Sequence, residues 1–207
     1  MEIIAHRGLV AGPQTPLPHQ LTLALELGFG IEFDVRDAAT GIVLAHDPWT
    51  MSAEPLEHFL PKIKGPGTLA INIKSCGLAA RLKEILQAHS VSLERCFFFD
   101  MAIPDHLLYL KHGLPAYLRL SEVEPVTPLM AKSPGVWLDG FESIWWEVAT
   151  LESLLQEGRK VCIVSPDLHR RDRYACWKLL KEAGLHRSPR LALCTDFSLE
   201  ARDYFAV

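Results

Sequence analysis

The residues best placed to do chemistry lie in GIEFDVRDAATGIVLAHDP, residues 30–48. Glu32 and Asp34 stand at i and i+2 in an apolar run. On a strand that spacing projects both carboxylates to one face, roughly 6.6–6.8 Å apart. One oxygen-seeking cation fits between them. Ile31, Phe33 and Val35 take the other face, so both faces are apolar or chemically committed, as in a parallel α/β sheet. A surface strand with solvated acids is the plain alternative. After a turn at 39–41, a second apolar run from Ile42 to Ala45 ends on His46-Asp47. Two acids and a histidine thus emerge from neighbouring extended segments.

Those segments need a frame. At 207 residues the chain suits one domain, 1–207, with a sizeable core. Hydrophobic residues make up 49% and charged ones 22%, as in ordinary globular proteins. A net charge of −4 offers no general attraction to nucleic acid or an anionic membrane. The interrupted basic cluster from His169 to Arg173 reads as a solvated or anion-binding loop. The five cysteines show no C-x-x-C spacing, and a reducing compartment suits them. MEIIAHRG lacks the pattern of a signal peptide, and no uncharged run reaches membrane-spanning length. The expected location is the cytoplasm.

Strand and helix signals alternate along the chain. Extended runs at 3–5, 30–35, 69–74, 96–99, 116–118, 136–138, 161–164 and 191–194 predict strands. Between several of them lie helical stripes, such as Leu78, Leu82, Ile85 and Leu86. A helix over 21–27 is expected to close at Gly28, and Pro104 is expected to open another. With 42–45 set aside as a hairpin element, eight strand–helix units predict a compact single-domain (β/α)8 barrel. His6, Glu32, Asp34, Lys74, Asp100, Arg119, Asp139 and Asp196 then fall at or near C-terminal strand ends, which converge on one mouth. An open doubly wound sheet is the second choice, but no glycine-rich phosphate loop follows the first strand.

His6-Arg7-Gly8, Glu32-x-Asp34, His46-Asp47 and Asn72-Ile73-Lys74, taken in order, resemble the glycerophosphodiester phosphodiesterase family and its phospholipase C-like superfamily. The matching segments lie within the first 74 residues. Cleaving a phosphodiester needs the attacking group deprotonated, the leaving alkoxide protonated and negative charge neutralised. Histidine has the unperturbed pKa for both proton transfers near neutrality. The resemblance assigns those roles to His6 and His46, without ordering them. It implies that Arg7 and Lys74 hold the phosphoryl oxygens, and that Glu32 and Asp34 bind Mg2+ or Ca2+. It also implies that a hydroxyl beside the ester attacks first, giving a cyclic phosphate.

Two departures stand out. Asn72 falls where the family carries a third acid, as a ligand through its amide oxygen. Pro13-Gln14-Thr15 falls where the family carries Glu-Asn-Thr. Asp100 and Asp139 are further site candidates, Arg119 is a candidate substrate contact, and His169 is a weaker one. Asp47 orients His46 or caps its turn. The remaining histidines and Trp137, Trp145 and Trp146 are assigned to packing. The expected function is metal-dependent hydrolysis of a small glycerophosphodiester or related polyol or sugar phosphodiester. A non-catalytic binder of phosphate-bearing ligands on the same fold is the alternative.

Overall fold

The computed structural model describes residues 1–9, 17–48 and 53–206, so Pro13-Gln14-Thr15 lies outside the described residues. The strands are β1 (Glu2–His6), β2 (Gly30–Ala38), β3 (Gly41–Leu44), β4 (Leu69–Ile73), β5 (Cys96–Phe99), β6 (Leu118–Leu120), β7 (Gly135–Leu138), β8 (Lys160–Val164) and β9 (Leu191–Thr195). The helices are α1 (Leu17–Glu26), α2 (Leu56–Phe59), α3 (Ala79–Ala88), α4 (Ile103–Lys111), α5 (Val148–Gln156), α6 (Tyr174–Glu182) and α7 (Ser198–Phe205).

Two compact units are built from these elements: His6–Ala116, and Met1–Ala5 together with the chain from Tyr117 onward. In the first, β4 runs parallel between β2 and β5, and β3 turns back antiparallel on β2. In the second, the order is β1-β9-β8-β7-β6, parallel throughout. The first strand therefore lies beside the last. First-beside-last pairing is the strand order of a (β/α)8 barrel and differs from that of a doubly wound sheet.

β2 shows why the sequence folds this way. Its period-two alternation sends Phe33 onto Phe59 of α2, with ring centroids 5.6 Å apart and edge to face. Glu32 and Asp34 must then face the opposite way, and both are nonetheless buried. The strand continues to Ala38, beyond the apolar run, because Val35–Ala38 pair with Gly41–Leu44 of β3. Helix α1 begins at Leu17, four residues before the expected start, and stops at Glu26. Gly28, at φ +85°, lets the chain turn so that its N–H and that of Phe29 reach the carbonyls of Leu25 and Ala24.

In the other unit, Leu120, Leu138, Ile163 and Leu193 join Leu151 of α5 and Trp177 and Leu180 of α6 in one apolar core. The Trp177 indole N–H donates to Ser165 Oγ at 3.0 Å, so its polar atom is satisfied inside that core. Between β6 and β7 the expected helix is replaced by a 3₁₀ turn, Pro128–Lys132. Pro125, Pro128 and Pro134 crowd this connection and remove the N–H donors an α-helix needs. Strand β6 begins at Leu118, two residues later than the apolar run suggests, because Ala116 bridges to Phe98 instead. Among the described residues, no helix is long and apolar enough to cross a membrane.

Candidate active site

In the His6–Ala116 unit, Arg7 and Lys74 converge on Asp34, while Glu32, His46, Asn72 and Asp100 lie on the same or adjoining elements. At the end of β1, Arg7 and Gly8 adopt left-handed conformations, φ 53° and 78°. This turn lets the Arg7 N–H donate to the Glu32 carbonyl and the Leu9 N–H to the Gln20 carbonyl, each at 3.0 Å. Glycine is required here: a Cβ on Gly8 would lie 2.4 Å from the backbone carbon of Gln20. The glycine of His-Arg-Gly thus lets α1 approach the first strand's end and aims the two preceding side chains.

His6 Nε2 lies 3.8 Å from Glu32 Oε2. Burial pushes the Glu32 carboxyl up to about 7, the nearby His6 opposing the shift and Asp34 adding to it. Both Asp34 oxygens face cations: Oδ2 is 3.2 Å from Arg7 Nε, and Oδ1 is 3.5 Å from Lys74 Nζ. Lys74 also reaches Asp100 Oδ2 at 3.6 Å. The backbone holds this register, with the Lys74 N–H donating to the Val35 carbonyl at 2.9 Å. Asn72 is the direct partner of Asp34 across the β2–β4 ladder.

His46 is tied in through β3. The Ala45 N–H donates to the Asp34 carbonyl at 3.1 Å, and Arg36 donates to the His46 carbonyl at 3.1 Å. His46 Nδ1 lies 2.8 Å from Asp47 Oδ1. That hydrogen bond holds the Asp47 carboxyl below its usual range, so Asp47 is an acceptor and Nδ1 carries the proton. The contact is compatible with Asp47 orienting the imidazole.

Oxygen donors suited to a hard cation are present. Glu32 Oε2 and Asn72 Oδ1 are buried without a hydrogen-bond partner, and Asp34, two residues from Glu32 and directly across from Asn72, adds a second carboxylate. Carboxylate and amide oxygens of this kind match Mg2+ or Ca2+. Among the described residues, no group of three or more His, Cys, Asp or Glu side chains is arranged to hold a metal ion.

The other unit holds Arg119, Asp139 and His169. Arg119 lies in the middle of β6, not at its end. Its guanidinium is engaged by the Glu124 carboxylate, at 2.6 and 2.9 Å, and sits over the Phe141 ring. Asp139 Oδ1 accepts from the Gly140 N–H and lies 2.7 Å from His169 Nε2. This Asp–His pair spans 30 residues. Its two members follow β7 and β8, which was the only available signal for joining them. In the basic loop two arginines are engaged: Arg171 donates to the Gly140 carbonyl, and Arg173 pairs with Glu200 at 2.7 Å, while Arg170 is exposed. Trp137 and Trp146 are buried packing residues, as expected, and Trp145 donates its indole N–H to the Asp139 carbonyl.

No protein-family model matches the sequence, and no curated protein matches it. Solved structures do. A glycerophosphodiester phosphodiesterase from Thermotoga maritima superposes with a TM-score of 0.73 at 14% identity, covering 97% of this chain and 96% of that one. One from Parabacteroides distasonis gives 0.71 at 16% identity, covering 99% and 96%. A phosphodiesterase from Oleispira antarctica, solved with its product sn-glycerol-3-phosphate, gives 0.72 at 17% identity, covering 100% and 97%. The chain therefore shares its (β/α)8 fold, over nearly its whole length, with solved glycerophosphodiester phosphodiesterases.

Proposed function

We propose that the chain is a metal-dependent phosphodiesterase that hydrolyses a glycerophosphodiester, or a related polyol or sugar phosphodiester, by two-histidine acid/base catalysis. The observation that carries this reading is the convergence of Arg7 and Lys74 on Asp34, beside the His6–Glu32 pair. Two fixed cations next to a histidine suit a phosphoryl group, because Arg offers forked donors and Lys a point charge. Bound sn-glycerol-3-phosphate in the Oleispira antarctica neighbour supports a small phosphate ester as ligand.

Glu32, Asp34 and Asn72 would hold the divalent cation, Mg2+ or Ca2+, which when bound supplies Lewis-acid neutralisation of phosphoryl charge. His46 presents Nε2 as the proton acceptor and takes the proton of the substrate hydroxyl beside the ester as its oxygen bonds to phosphorus. His6 gives its proton to the leaving alkoxide. Water then opens the cyclic phosphate, with the two histidines exchanging roles. Arg7 and Lys74 offset the charge that builds on the phosphoryl oxygens.

Incubating the protein with a panel of phosphodiesters, with and without Mg2+ or Ca2+, tests the reading. Metal-stimulated release of alcohol from glycerol-bearing diesters is expected. Phosphate binding without turnover of any diester would instead identify a non-catalytic phosphate-ligand binder.

A further inference from the structure

We propose that Asp100 is a positioning residue for Lys74, holding its ammonium away from Asp34 so that it can meet a phosphoryl oxygen. The proposal rests on the phosphate-binding part of the reading above and is independent of turnover.

Lys74 Nζ is almost equidistant from two carboxylates, 3.5 Å from Asp34 and 3.6 Å from Asp100. Charge-assisted N–H···O bonds close to about 2.7–2.9 Å, so the ammonium is shared and locked to neither acid. Asp34 has a second cation, Arg7, at 3.2 Å. The Asp100 side chain is only 16% exposed, and it sits just past β5 at φ 68°. Asn, Asp and Gly are the residues that take this backbone conformation at low cost. Asn or Gly would serve the turn equally well. The negative charge is what aspartate adds, and Lys74 is a cation it faces.

Two electrostatic outcomes compete when that charge is removed. If Asp100 acts only as a nearby negative charge, its loss makes the site more positive and tightens anion binding. If it positions Lys74, its loss leaves Asp34 as the stronger pull; the ammonium collapses onto it, and anion binding weakens. The sign of the change decides between them. A third role, direct ligation of a cation in place of the missing acid, would not act through Lys74.

The test is calorimetric titration with inorganic phosphate in chelator-treated buffer on wild type, Asp100→Asn, Asp100→Glu, Lys74→Ala and the Lys74→Ala/Asp100→Asn double variant. Asparagine keeps the left-handed turn affordable, so Asp100→Asn is expected to fold. It should bind phosphate about tenfold more weakly, the worth of one charge-assisted hydrogen bond. Asp100→Glu, which restores the charge, should recover part of the loss. In the Lys74→Ala background the Asp100→Asn effect should vanish. Unchanged or tighter phosphate binding by Asp100→Asn overturns the proposal. So does an equal loss in the Lys74→Ala background, or a wild type that binds no phosphate. A protein that binds phosphate in this pattern but cleaves no diester would sink the enzymatic reading and leave the role of Asp100 standing.

Discussion

Asn72 stands beside Asp34 across the β2–β4 ladder, and its Oδ1 is buried without a hydrogen-bond partner. An amide oxygen can ligate a hard cation but brings no charge. A divalent ion held by Glu32 and Asp34 is then neutralised without excess, whereas a third carboxylate would leave the set at −1. Asn72→Glu should therefore tighten Mg2+ binding and, through its spare negative charge, weaken the hold of Arg7 and Lys74 on phosphate. Paired metal and phosphate titrations of wild type and variant check both. Unchanged metal affinity would remove residue 72 from the cation site.

The two histidines differ in their surroundings: His6 faces the buried Glu32, while His46 is half-exposed on Asp47. Alanine at either position should lower turnover by ~10²–10⁴-fold, the usual worth of a general acid or base. Asp47→Asn should cost much less, under about tenfold, because a solvent-exposed pair contributes little. Steady-state kinetics on the preferred diester measure all three. Near-normal turnover by either alanine variant would end the two-histidine mechanism.

Gly8 offers a test of how the site is framed. A methyl group there would meet α1 backbone at 2.4 Å, at a position whose φ is already +78°. Gly8→Ala should destabilise the fold by roughly 2–4 kcal/mol, from left-handed strain and overpacking together. It should also lower turnover by shifting His6 and Arg7. Urea unfolding of the variant would reveal an error here if its midpoint matched that of wild type.

These expectations trace back to features of unequal legibility in the sequence. Glu32 and Asp34 could be placed from local pattern alone, because Ile31, Phe33 and Val35 fix the buried face and the period of a strand is two. Strand β6 was displaced because Ala116 and Tyr117 are as apolar as the strand itself; pairing partners, not composition, decide where it begins. Arg119 shows a further limit. Its type and position suit a phosphate contact, yet Glu124 curls back through a turn to occupy it. Asp139 and His169 meet only because two loops deliver them, and loop conformation leaves no periodic trace. The hairpin was legible from its turn residues, whereas the Ala45–Asp34 backbone bond that ties the end of β3 to β2 depends on a register that composition does not encode.

His106, on α4, is 3% exposed, and burial pushes its pKa from 6.5 down to about 4. The fold therefore favours neutral imidazole. Its contribution is fully present above the unfolded value and is lost as pH falls from 6.5 toward 4, where the unfolded chain binds a proton that the native state refuses. Over the whole window this amounts to at most ~3 kcal/mol, and to about 2 kcal/mol between roughly pH 7 and pH 5. Glu32 titrates in the same range with the opposite sign: its raised pKa favours the neutral acid in the fold, a contribution lost as pH rises from 4.5 toward about 7. The two contributions run in opposite directions over this range. His106→Gln removes one slope and leaves the other. Its unfolding free energy, whatever its absolute value, should rise relative to wild type as the buffer moves from about pH 7 to about pH 5. Urea titrations of both proteins at the two pH values measure this difference. Parallel behaviour would mean that His106 takes up its proton in the native state as readily as in the unfolded chain.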